Sequence, residues 1–170
     1  MRLKAVAGLC TVFLLGACAN QPSEEPADMT MSGGNDQVAA TPVAPVLPAG
    51  PVPGSAEDLV VNVGDRVFFG LDRADLAPDA RAVLERQAQW LRQYPTATVV
   101  VEGHADERGT REYNLALGER RANAMRTYLV ALGIDPTRIR IVSFGKERPA
   151  VLGSNEQSWA QNRRGVTVLN

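Results

Sequence analysis

The chain alternates between stretches with a clear hydrophobic period and stretches with none. Val67, Phe68 and Phe69 give Asp65 to Phe69 the look of a strand. Gly70-Leu71-Asp72-Arg73-Ala74-Asp75-Leu76 interrupts it as a loop. Pro78 suits the first turn of a helix, and Ala80, Leu84, Gln87, Leu91 and Tyr94 follow at helical spacing, with Ala88 on the flank. Pro95 ends that helix. The β-branched run Thr98-Val99-Val100-Val101 reads as a buried strand. The polar segment from Glu102 to Thr110 carries Gly103 and Gly109 and reads as a strand-to-helix loop. A second helical pattern covers Glu112 to Leu132, closed by Gly133 with apolar Ile134 just beyond. Asp135-Pro136 is a turn signal, and Arg138 to Phe144 alternates through Ile139 and Ile141 as a third strand. Lys146 to Arg164 is long and irregular, with a short helix expected around Glu156 to Gln161. Gly165 to Leu169 makes the last strand. The order βαβαββ implies an α/β domain, its helices packed on one face of a mixed sheet. No internal repeat is visible.

The second helix contains an anomaly. At about 100° per residue, Leu117, Met125, Tyr128 and Leu132 share one stripe, and Arg121 falls in its middle, with Asn114 on the same side. An unpaired buried charge is very costly. The nearest candidate partner is Asp106, in the loop feeding the helix. With a reference pKa near 3.9, Asp106 is expected to be ionised at neutral pH. A carboxylate beside a guanidinium in a half-open cleft reads as a site. It equally reads as a structural salt bridge joining loop to helix, and both can hold.

The first third of the chain has a different character. Arg2 and Lys4 precede the apolar core Ala5 to Leu15, which is too short to span a bilayer permanently. Leu15-Gly16-Ala17-Cys18 then resembles a bacterial lipobox, with residues 1–17 as the removed leader. That resemblance implies that Cys18 becomes a mature N-terminus carrying an S-diacylglycerol and an N-palmitoyl chain. It also implies no other cofactor. Residue 19 is Ala rather than the Asp that retains many such lipoproteins in the inner membrane, which favours the outer membrane. Cys10 lies in the leader, so no disulfide can form within one mature chain. Residues 18–56 form a lipidated N-terminus and linker. Pro22, Pro26, Pro42, Pro45, Pro48, Pro51 and Pro53 combine there with Ala, Gly and Ser and no aromatics. Such a composition cannot bury enough apolar area to offset its ordering entropy, so disorder is expected. Stretched at about 3.3 Å per residue, this tether reaches roughly 125 Å. Ala19 to Ala56 carries Glu24, Glu25, Asp28 and Asp36 but no Lys or Arg. The chain as a whole has a net charge of −1, which argues against nucleic acid as a partner.

Gly103-His104-Ala105-Asp106-Glu107-Arg108-Gly109-Thr110, then Asn114-x-x-Leu117-x-x-x-Arg121-Ala122, form a specific pattern. Ser143-Phe144-Gly145-Lys146 and Asn162-Arg163-Arg164 agree with it. From about Val67 to Val168 the chain resembles the OmpA-like peptidoglycan-binding domain. With lipobox and tether, it is similar to the peptidoglycan-associated lipoprotein (Pal) family of Gram-negative bacteria. The resemblance implies an OmpA-like βαβαββ sandwich, a mixed four-stranded sheet with helices on one face, spanning residues 57–170. It also implies binding to the meso-diaminopimelate of the peptidoglycan stem peptide, with Asp106 taking the ammonium and Arg121 the carboxylate. The charge chemistry agrees, since a guanidinium takes a carboxylate in a two-pronged fork.

Other positions carry over from the same resemblance. Phe69 and Asp72 match an aromatic-plus-acid loop after the first strand, although Gly70 and Leu71 stand where an acidic and an aromatic residue are common. Phe69 reads equally as core. Leu117 is expected beneath the ligand, or as ordinary core. Asn114 is expected to tie the loop to the helix start, and Arg164 either to meet peptide carboxylates or to sit in solvent. Partners implied are peptidoglycan, outer-membrane lipid, and TolB with other Tol proteins, in support of outer-membrane integrity and constriction at cell division. His104, the single histidine, reads as a structural or hydrogen-bonding residue. A peptidoglycan-processing enzyme is the competing reading. It requires a nucleophile or a metal set, and neither a second His nor a mature-domain Cys is present to complete a zinc site. No catalytic or metal residue is therefore expected.

Overall fold

The β-branched run becomes the middle of a four-stranded sheet. Residues 50–170 are described by a computed structural model; the leader, Cys18 and most of the linker lie outside the described residues. The strands are β1 (Arg66–Phe68), β2 (Val99–His104), β3 (Ile139–Gly145) and β4 (Arg164–Leu169), in the spatial order β1-β4-β2-β3. β2 runs parallel to β3 and antiparallel to β4, and β1 is antiparallel to β4. The sheet is thus mixed. Alternation along β2 sends Val99, Val101 and Gly103 to one face and Val100 and Glu102 to the other. On the first face lie α2 (Pro78–Gln93) and α3 (Arg111–Ala131). Leu84, Ala88 and Leu91 of α2 and Ala122, Met125 and Leu129 of α3 close the core against Val67, Val99 and Val101.

Helix ends follow local chemistry. Thr110 caps α3 by accepting the Tyr113 N–H at 3.2 Å. At the other end Gly133 takes φ +92°, the Ile134 N–H reaches the Leu129 carbonyl at 3.1 Å, and Ile134 enters the core. A side chain is excluded at Gly103, because a Cβ there would run into the Gly118 backbone carbonyl. The two glycines let α3 lie directly on the end of β2, which sets where Arg121 stands.

Several features differ from the sequence reading. β2 runs on through Glu102, Gly103 and His104, which read as loop. The chain opens with an extra turn, α1 (Ala56–Asp58), continuing into a π-helical turn over Leu59–Val63. The Asp58 carboxylate holds it together, accepting from the Gly54 N–H and Trp90 Nε1 at 2.8 Å each and from Asn62 Nδ2 at 2.7 Å. Gly54 and Ser55, which composition places in the linker, belong to this turn: Ser55 caps α1 and the ring of Tyr94 packs on Gly54. The third strand starts at Ile139, because Arg138 closes a 3-10 turn over Pro136–Arg138. The last strand starts one residue early, at Arg164, after α4 (Glu156–Asn162). Among the described residues, no helix is long and apolar enough to cross a membrane.

Candidate functional site

At the end of β2 the register slips between Gly103 and His104, and the chain leaves the sheet toward α3. The loop that follows is fixed by side chains at three points. Asn114 Nδ2 donates to the Arg108 and Thr110 carbonyls at 2.7 and 3.0 Å, tying loop to helix. Lys146 Nζ donates to the carbonyls of Glu107 and Gly109 at 3.2 and 2.7 Å. The Asp106 carboxylate turns back on its own loop and accepts the Arg108 N–H at 3.1 Å.

Arg121 is fully buried, and its partners are not those the sequence suggests. Nε donates to the Arg73 carbonyl at 2.8 Å, Nη1 to the His104 carbonyl at 2.7 Å and Nη2 to the Gly70 carbonyl at 3.0 Å. Its flat face lies over the Phe69 ring, 5.1 Å from the centroid. The expected Asp106–Arg121 pair is therefore corrected. Asp106 is instead gripped by Arg108, at 2.6 Å from Nη2 and 3.2 Å from Nε, and by Arg163 Nη1 at 3.3 Å. Asp106 and Arg121 nevertheless line one cleft, with a volume of about 160 Å³. A guanidinium has five donors; three of Arg121's bind carbonyls, which leaves two without an acceptor among the described residues.

The rest of the cleft combines apolar walls with Arg108, Asn114 and one further carboxylate. Leu117 forms part of its wall, with Leu71 and Tyr113. Asp72 stands opposite and accepts a hydrogen bond from the Tyr113 hydroxyl. Among the described residues it is the single non-glycine at positive φ, 54°, a conformation Asp tolerates better than most. Burial lowers the Arg121 pKa to about 10, with the charge of Asp106 opposing the fall, so the side chain is cationic at neutral pH. Burial pushes the Asp106 carboxyl up, but hydrogen bonds from Arg108 and Arg163 outweigh it, and the group ends below the ordinary carboxylate range.

The structure brings Asp72, Asp106, Asn114, Leu117 and Arg121 to this cleft. Phe69 lies behind it, 5% exposed, as the support under Arg121. Arg164 is not part of it. Gly165 and Thr167 of β4 face the helices, so alternation turns Arg164 to the opposite face, where Nη2 donates to the Arg148 carbonyl at 3.2 Å. His104 is on that same outer face, stacked on Phe144 and 3.3 Å from Glu102. Burial, then the charges of Arg164 and Arg148, lower its pKa to about 4. Sequence reasoning missed Arg108 and Tyr113 at the cleft, and Arg163 as a partner of Asp106. The spacing of Arg108, two residues beyond Asp106 within one loop, was a usable signal for the first, and Asn162-Arg163-Arg164 marked Arg163 without its partner; nothing local points to Tyr113.

The family model described as OmpA family matches residues 68–163. The chain belongs to the OmpA family. A peptidoglycan-associated lipoprotein of Rhizobium meliloti is 57% identical over 117 residues, covering 69% of this chain and 66% of that protein. One of Mesorhizobium japonicum is 46% identical over 163 residues, covering 95% of this chain and 89% of its own length. The crystal structure of the peptidoglycan-associated lipoprotein from Burkholderia pseudomallei superposes with a TM-score of 0.63 at 40% identity, covering 66% of this chain and all of the other. The OmpA-like fold expected from the motifs is the fold observed.

Proposed function

We propose that this chain is a non-enzymatic tether between the outer membrane and the cell wall. Its cleft takes the diaminopimelate head of the peptidoglycan stem peptide, which carries an ammonium and a carboxylate on one carbon. The observation that supports this most directly is the buried, cationic Arg121 with two unused donors in the same cleft as Asp106 and Asp72. In this reading Arg121 takes the ligand carboxylate, the acids take the ammonium, and Leu117 packs on the methylenes between. The names of the relatives, peptidoglycan-associated lipoproteins, support association with peptidoglycan and a lipid anchor. The anchor is Cys18, acylated in the outer membrane, and the proline-rich linker crosses the gap to the wall. Weak single contacts become firm because confinement at the membrane raises the effective concentration of wall for every copy. The family resemblance extends the reading to TolB and other Tol proteins as partners during outer-membrane constriction.

Titrating the full chain with a stem peptide ending in meso-diaminopimelate, against the lysine-containing analogue, tests the cleft. The lysine peptide lacks the carboxylate assigned to Arg121, so binding is expected at least 10-fold weaker, about 1.4 kcal/mol or more. Equal affinity for the two peptides would refute the assignment.

A further inference from the structure

The seat assigned to the ligand ammonium is already taken by a cation of the chain itself. Arg108 holds both oxygens of Asp106, from Nε at 3.2 Å and Nη2 at 2.6 Å. It is not locked in that position. Its side chain is 34% exposed, and its guanidinium lies flat on the Trp159 ring, 4.1 Å from the centroid. Its third nitrogen, Nη1, is 3.8 Å from Glu156 Oε2, on an exposed carboxylate at the first turn of α4. Arg163 fixes the distance between the two acids, because it donates to Asp106 from Nη1 at 3.3 Å and to Glu156 from Nη2 at 2.7 Å. Arg163 is itself held by the Phe69 carbonyl at 3.2 Å and is nearly buried. One arginine is thus a fixed strut between two carboxylates, and the other is free to choose between them.

We propose that Arg108 is an exchangeable occupant of the Asp106 seat, which moves across the Trp159 face to Glu156 when a ligand ammonium arrives. The proposal rests on the reading of the cleft given above and deepens it: Arg108 sets the affinity by competing with the ligand rather than by touching it. An ammonium added while Arg108 stayed would give one carboxylate three cationic neighbours, with Arg121 a fourth charge in the same cleft. Glu156 offers the displaced guanidinium a replacement anion, and the indole face keeps its contact along the way. The cost of exchange appears as a reduced apparent affinity. If Arg108 covers Asp106 for all but ~10% of the time, the ligand binds ~10-fold more weakly than to an open seat.

The test is calorimetric titration of the full chain with a stem tripeptide ending in meso-diaminopimelate. Arg108→Gln is expected to bind about 3- to 10-fold more tightly than wild type, since the competitor is gone. Glu156→Gln removes the alternative seat and is expected to bind more weakly. The double variant R108Q/E156Q is expected to bind more tightly than E156Q and within about 2-fold of R108Q, the remaining difference coming from the Arg163 contact that Glu156 also makes. Arg108→Lys keeps a cation without the fork and should fall between wild type and R108Q, which guards against a folding defect in any one variant. Unchanged or weaker binding by R108Q would overturn the proposal, weaker binding marking Arg108 as a ligand contact. Equal affinities for E156Q and wild type would also overturn it. If neither wild type nor R108Q bound the tripeptide, the reading of the cleft itself would fall, and the exchange with it.

Discussion

Replacing Arg121 with Ala should damage the fold as well as the site. The guanidinium makes three hydrogen bonds, each to a main-chain carbonyl, and these come from three places: Gly70 and Arg73 in the loop after β1, and His104 at the end of β2. Hydrogen bonds from a charged donor contribute roughly 1.5–3 kcal/mol each. Their removal strands three carbonyls, which water entering from the half-open cleft can partly satisfy. The net loss is then about 4 kcal/mol, within the range of roughly 3–5 kcal/mol for breaking buried charged interactions. That is a large share of the ~5–15 kcal/mol that keeps an ordinary domain folded. With a urea slope near 2 kcal/mol per molar, the unfolding midpoint should fall by about 2 M at constant slope. Arg121→Lys should fall about half as far, because a single ammonium cannot reach three divergent carbonyls. A midpoint shift below about 0.5 M for Arg121→Ala would show that the clamp carries little of the fold, and the reasoning would fail. A loss of wall binding by Arg121→Ala therefore mixes two effects, whereas Asp106→Asn keeps the clamp and isolates the charge.

Two further outcomes follow from buried groups. His104 has a folded pKa of about 4 against an unfolded value near 6.5, so the unfolded chain takes up the proton first. Stability should be complete above about pH 6.5 and fall by up to ~3 kcal/mol as the pH drops toward about 4. Urea unfolding at about pH 7 and about pH 4.5 should show this loss in wild type and a smaller one in His104→Gln; equal losses would exclude His104 as the cause. Gly103→Ala should lower the melting temperature by about 10 °C or more, because the new methyl meets the Gly118 carbonyl, with backbone on both sides of the clash. A change of less than about 2 °C would mean that α3 can lift from β2 freely.

Much of this fold was legible because its periods are strong. The β-branched run and the two helical stripes identify β2, α2 and α3, and Gly133-Ile134 marks the end of α3. The opening turn over Ala56–Val63 was not legible, because its stability comes from Trp90, far along the chain, reaching the Asp58 carboxylate. At the site, the arginine on an apolar stripe announced a buried charge. Its partner was misread because side chains can be matched by charge, whereas main-chain carbonyls look alike in any sequence. Arg164 was misplaced for a simpler reason. With the strand starting at Gly165 the arginine is a loop residue, free to reach the cleft. Starting one residue earlier puts it in the pleat and turns it to the other face.

In the proposed function, the opening turn also decides how a pull on the linker would travel. The tether joins the domain through Gly54, Asp58 and Trp90, beside Tyr94, where α2 hands over to the start of β2. The cleft is built at the far end of that same strand, which is bonded on both sides, to β3 and to β4. The chain itself passes from the opening turn into β1, an edge strand bonded only to β4. A load from the linker would meet the Asp58 carboxylate and its grip on Trp90 before it reached that edge. The turn is thus a brake that passes part of the force to α2, so the first strand is not unzipped while it holds.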